Sequence, residues 1–165
     1  MSRTGVGALA VVFFFFLVQN TLGLVFSEYA PALALAAVVY YGLTRGPSFG
    51  FFLGAAAGVF FEIFSVGRIG HEMIALGLCG LAAGYTATAF FRENLLARVV
   101  LPAALVYGEA LFRLAMDGGV REMGSVFGIL QDAFVWPTIL STAIFSPFLF
   151  RLLGRKASPG GYFRG

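Results

Sequence analysis

The sequence predicts an all-α, polytopic membrane bundle of about six transmembrane helices, and three observations carry that prediction. The 165-residue chain is 59% hydrophobic and only 12% charged, against roughly 25% charged residues in an average soluble domain. Its mean hydropathy is +0.90, so a water-soluble fold of this size has nowhere to hide its apolar surface. Its apolar residues also fall into runs of about 20, the length needed to cross a hydrocarbon core about 30 Å thick. Twenty phenylalanines and 22 glycines suit lipid-facing surfaces combined with close helix contacts.

The first span is expected from Gly5 to Phe26. It is too long for a signal-peptide core, and no small-residue cleavage site closes it, so it reads as an uncleaved helix. Ser27-Glu28-Tyr29 breaks the pattern, and Pro31 opens a short second span in a position suited to a first helical turn. That span ends near Thr44-Arg45-Gly46, and spans two and three form a tight hairpin unless one of them is re-entrant. The third span runs from Pro47 to Val66, and the loop Gly67 to Glu72 leads to the fourth, Met73 to Phe91. Arg92-Glu93-Asn94 and Arg98 mark the next loop. The fifth span covers Val99 to Met116, closed by Asp117-Gly118-Gly119. The sixth covers Val126 to Phe150, with Pro137 and Pro147 as kink positions. Residues 1–155 form one transmembrane domain, and 156–165 a basic tail; from Arg151 onward the chain is expected to be poorly ordered.

Charge orients this arrangement. Arg3, Arg45, Arg92, Arg98, Arg151, Arg155, Lys156 and Arg164 fall on one side, while only Arg68 and Arg121 fall on the other. The positive-inside rule places the basic side, with both termini, in the cytoplasm. Glu28, Glu72, Asp117 and Glu122 then face outward. The basic residues form no stripe with interleaved aromatics, which argues against nucleic-acid binding despite a pI of 9.4.

Gly46, Gly50, Gly54 and Gly58 recur every four residues, with Glu62 next in the same series. Residues at i and i+4 stack on one helical face, so this is a ridge that a second backbone can approach closely. The ridge packs against a neighbouring span of the same chain or docks a helix of another protein.

Glu62, Glu109, Arg113 and Asp132 are ionisable residues inside predicted spans. Each costs about 2.5–3.5 kcal/mol on insertion scales, so each needs a partner or a water-filled cavity. Glu109 and Arg113 stand four apart in the favourable acid-before-base order, forming either a neutralised internal pair or part of a ligand or partner site. Together with Gln19 and Asn20, most of these groups fall in the outer half of the bundle. They suggest a polar cluster or shallow cavity opening outward above a dry inner half.

Nothing in the sequence points to catalysis. His71 is the only histidine and is expected in an outer loop beside Glu72. Cys79, the only cysteine, sits in an apolar run, and one thiol with one histidine makes no zinc site. Serine-hydrolase, metalloprotease, dithiol and phosphate-loop signatures are absent. No cofactor is expected.

Gln19-Asn20-Thr21-Leu22, the run from Pro31 through Tyr40-Tyr41-Gly42, Gly50-Phe-Phe-Leu-Gly54, Glu62-Ile-Phe-Ser and Gly70 together resemble the rod-shape-determining MreD family. The resemblance covers roughly residues 15 to 90. This chain has Pro31-Ala32 where that family often has Pro-Asp, and Glu62 where it usually has an aspartate nearer the second glycine. The resemblance implies a non-enzymatic inner-membrane scaffold of the cell-elongation machinery. Its implied partners are the single-span protein MreC and, in the same complex, the MreB filament, RodA and a class B penicillin-binding protein. A second reading is the substrate-capturing subunit of an energy-coupling-factor transporter, which has similar size and helix number. The Ala-x-x-x-Ala type signature common in that first helix is missing from Gly7-Ala-Leu-Ala-Val-Val-Phe-Phe.

Overall fold

The computed structural model describes residues 3–26, 31–64, 70–89, 95–116 and 135–156. They form six helices and, among the described residues, no strand: α1 (Arg3–Phe26), α2 (Leu33–Arg45), α3 (Pro47–Phe64), α4 (His71–Ala89), α5 (Leu95–Met116) and α6 (Val135–Lys156). Segments in α1, α3 and α6 are long and apolar enough to cross a membrane, namely Gly5–Leu24, Pro47–Phe64 and Trp136–Gly154. Phe14, Leu24, Phe52, Ile144 and Phe148 project from the bundle surface, an arrangement that costs little in lipid and a great deal in water.

Pairwise contacts fix the helix directions. Phe13 stacks on Phe60, and Phe16 on Phe61 and Phe64, so α1 and α3 run parallel. A side chain at Gly50 would meet Gly80, one at Gly54 would meet Leu76, and one at Gly58 would meet Met73, so α3 and α4 run antiparallel. Ala32 meets Thr142, and Tyr40 meets Phe150, so α2 and α6 run parallel. The hairpin α2–α3 closes at Gly46, where Tyr41 stacks on Phe49. The start of α1 and the end of α6 therefore lie at the same end of the bundle.

The hub of the bundle is α2. Residues 31 to 40 are all buried, under α1, α3, α4, α5 and α6. Its run Leu-Ala-Leu-Ala-Ala-Val-Val lacks a polar face, the pattern of a helix enclosed on all sides. Small alanines let neighbours approach on several sides at once. With 13 residues it is only about 20 Å long, short of a bilayer core.

Several boundaries differ from the sequence reading. Pro31 lies outside α2. The Leu33 N–H donates to the Pro31 carbonyl at 2.8 Å, closing an inverse γ-turn around Ala32, whose φ is −75° and ψ 66°. The fourth helix starts at His71 instead of Met73, so His71 and Glu72 form its first turn and not a loop. The fifth starts at Leu95. The segment expected to be an unstructured tail from Arg151 is helical through Lys156, because Leu149, Phe150 and Leu153 are buried and keep the helical period going. Pro137 sits in the first turn of α6, where proline is tolerated, while Pro147 lies inside it. The expected start of that helix at Val126, together with Arg68, Asp117, Arg121 and Glu122, lies outside the described residues.

Hydroxyls within the apolar helices bond their own backbones. Thr21 donates to Leu17, Thr44 to Tyr40, Thr86 to Ala83 and Ser141 to Thr138. This is how a helix in hydrocarbon satisfies a hydroxyl without water.

Candidate functional site

The glycine ridge is occupied from within the chain. A Cβ placed on Gly50 would run into the Gly80 carbonyl, one on Gly54 into the Leu76 carbonyl, and one on Gly58 into the Met73 backbone. From the facing side, a Cβ on Gly80 would meet the Gly50 carbonyl, and one on Gly84 the backbone of Pro47. Two complementary glycine rows thus bring α3 and α4 into backbone contact, the packing available to helices where lipid removes any hydrophobic drive. Gly42 joins them from α2, since its Cβ would stand 2.6 Å from the Gly80 carbonyl. Of the two readings of the ridge, internal packing is the arrangement observed.

Gly46 does not belong to the ridge. It follows α2 with φ 95° and ψ 171°, a backbone region open essentially to glycine alone. Its N–H donates to the Gly42 carbonyl at 2.9 Å, and a Cβ there would meet nothing within 4 Å. Its constraint is conformational, not steric.

Of the polar residues singled out in the sequence, Gln19, Asn20 and Glu62 lie at one end of the bundle but are not gathered into one cluster. Glu62, in the last turn of α3, turns one carboxylate oxygen onto the start of α4. That Oε1 accepts the N–H groups of Gly70 at 2.7 Å, Glu72 at 2.9 Å and Met73 at 3.2 Å. These are donors that a helix start leaves without intrahelical partners, and the helix dipole favours a negative charge there. Gly70, with φ +104°, makes the turn that feeds them to the carboxylate. Gln19 of α1 does the same for α2: its Oε1 accepts the Ala34 N–H at 3.2 Å. Asn20 bonds back onto its own helix, donating to Phe16 at 3.0 Å. Glu109 is half-buried on α5. The side chain of Arg113 and the whole of Asp132 lie outside the described residues.

Thr142 was not legible as a site residue. It is 1% exposed, and its Oγ1 accepts the Ala32 N–H at 2.9 Å across 110 residues of sequence. Gln19 and Thr142 together close the buried start of α2 from two different helices. Among the described residues, no buried side-chain nitrogen or oxygen is left without a hydrogen-bond partner. Cys79 is buried and its thiol points to the Leu105 carbonyl at 3.8 Å. No group of three metal-ligating side chains occurs among the described residues. Between α1 and α3 runs a shallow apolar crevice too narrow to admit a water molecule, lined by Val12, Phe13, Phe16, Ala57 and Phe60 among others.

The caps yield a direct expectation for Glu62. Glu62→Gln keeps an acceptor and is expected to lose less than about 1 kcal/mol, while Glu62→Leu orphans three donors and is expected to lose about 1–3 kcal/mol. Thermal unfolding in detergent reads the difference. A Glu62→Leu protein as stable as the parent would mean that the cap contributes nothing.

No family model matches the chain, and neither the curated proteins nor the solved structures include a significant match.

Proposed function

We propose that the protein is a non-enzymatic scaffold in the bacterial inner membrane, multi-pass with both termini cytoplasmic, serving the cell-elongation complex as the resemblance to the MreD family implies. One observation supports this most. The residues that carry the resemblance are the ones that join the helices: Gln19 to the start of α2, Gly50 and Gly54 to α4, and Glu62 to Gly70. The resemblance therefore follows a framework of joints, which is more specific than a shared apolar composition. Helix directions that bring the start of α1 and the end of α6 to one end agree with the arginine asymmetry of the sequence. In this reading the glycine ridge holds the scaffold together, and the MreC-like partner is met by other surfaces, Arg113 and Asp132 among them.

The test is co-purification combined with ligand screening. The protein is expected to retain an MreC-like single-span protein, with Arg113→Ala weakening retention more than Arg98→Ala. Reporter fusions at the C-terminus are expected to score cytoplasmic. A transported small solute at 100 times its dissociation constant would stabilise the fold by about 2.7 kcal/mol. A shift of that size with one vitamin and no partner recovered would replace the scaffold reading with the transporter one.

A further inference from the structure

We infer that the basic end of the bundle carries a binding site for the phosphate headgroup of anionic phospholipids, built on an aromatic shelf of α2 and α3 whose rings continue to α6. The shelf is the partly exposed edge, at Tyr41 and Phe49, of a series of rings that continues inward through the buried Tyr40 and Phe150. Phe49 of α3 stacks near Tyr41 of α2 at 6.3 Å, Tyr41 meets Tyr40 at 5.4 Å, and Tyr40 meets Phe150 of α6 at 5.4 Å. One arginine lies over its α3 end, and a second occurs on α6 next in sequence to Phe150. The Arg45 guanidinium lies over the Phe49 ring at 4.8 Å and the Tyr41 ring at 5.6 Å. Arg151 follows Phe150 directly and is exposed, as is Arg45.

Neither arginine is matched by a carboxylate among the described residues. Glu62 and Glu72 lie at the opposite end, and Glu109 sits within α5. In the sequence, Glu93 is the one acid in the segments assigned to the basic side, against eight arginines and lysines. Stacking on a ring holds a guanidinium by one face and leaves its in-plane N–H donors facing outward, the geometry that suits a phosphate. Exposed apolar side chains on the same end of α6, Phe148 and Leu152, offer a path for the acyl chains that a soluble phosphate lacks. Positive charge near a membrane surface attracts anionic lipid generally; the shelf fixes where that charge is presented. The inference depends on the bundle lying in a membrane and not on which proteins it holds.

Native mass spectrometry of the detergent-purified full chain tests it, with phosphatidylglycerol, phosphatidylcholine and inorganic phosphate added separately. Phosphatidylglycerol is expected to be retained at least tenfold more than phosphatidylcholine. Arg45→Gln and Arg151→Gln are each expected to weaken that retention about fivefold, and the lysine variants less. The circular dichroism of each variant should match the parent, since both side chains are exposed. Equal retention of the two lipids, or undiminished retention in the double glutamine variant, would overturn the site. Displacement of phosphatidylglycerol by millimolar inorganic phosphate would assign the shelf to a soluble phosphate and overturn the lipid assignment.

Discussion

Gly54→Leu is expected to prevent the bundle from assembling. The first added atom would land on the Leu76 carbonyl, with the Leu76 carbon at 2.7 Å and the Gly77 nitrogen at 3.0 Å behind it. These are backbone atoms, so no rotamer change relieves the contact; α3 and α4 must separate. Separation would also pull apart Gly50 from Gly80 and Gly58 from Met73, because one rigid pair of helices carries all three contacts. Overpacking a core typically costs about 1–3 kcal/mol, occasionally more, and three linked backbone contacts put this case at or beyond the upper limit. Gly108→Leu is the control. Nothing lies within 4 Å of its Cβ position, and leucine is a better helix former than glycine. Phe52→Leu, at a side chain 71% exposed, is expected to be equally silent. Thermal unfolding and size-exclusion behaviour in detergent check all three. A Gly54→Leu protein as stable as Gly108→Leu would remove the α3–α4 contact from the account.

That contact also shows what a sequence can reveal in lipid. Spacing by four on α3 is a one-dimensional signal, and it marked Gly50, Gly54 and Gly58 correctly as a surface for close approach. It did not say what approaches. The complementary signal was present in Gly80 and Gly84, again four apart, and matching the two rows would have named α4 as the partner. Gly46 shares the spacing yet serves a different purpose, because a periodic pattern does not distinguish a flat helix face from the positive φ of a turn just before it.

The order of the helices among the described residues was legible because each falls on a long apolar run, although only α1, α3 and α6 hold a segment long and apolar enough to cross a hydrocarbon core. The ends were less so. Leu152 and Leu153 continue α6 past Phe150, but Arg151 and Arg155 around them read as a tail. The polar residues read as a group gathered toward one end, and of them Gln19 and Glu62 lie together at one end of the bundle. Their use as caps for other helices was not legible, since a cap across helices depends on which backbone N–H groups the fold brings within reach. Thr142 gave no signal at all: a threonine in a transmembrane helix ordinarily satisfies itself on its own turn.

The buried start of α2 is where such hidden caps should matter most. Water cannot reach Ala32 or Ala34, both buried, so the donors there depend on Thr142 and Gln19. Thr142→Val keeps the shape of the side chain and removes the acceptor. It is expected to cost about 1–3 kcal/mol, the desolvation of one orphaned N–H. Gln19→Leu is expected to cost a similar amount at Ala34, which α1 reaches from another direction. The caps serve neighbouring donors of one helical turn, so the double variant is expected to lose more than either single one, about 2–6 kcal/mol if the two losses add. That is a large share of the total stability of an ordinary domain. Thr21→Val is the matched control, because Thr21 bonds only its own exposed turn. Thermal unfolding compares the four proteins, and amide hydrogen exchange locates the effect. Faster exchange should appear in the first turn of α2 in the double variant and leave the α3–α4 contact protected. If exchange instead rises uniformly, α2 is not held separately at its start, and the two caps act only through global stability.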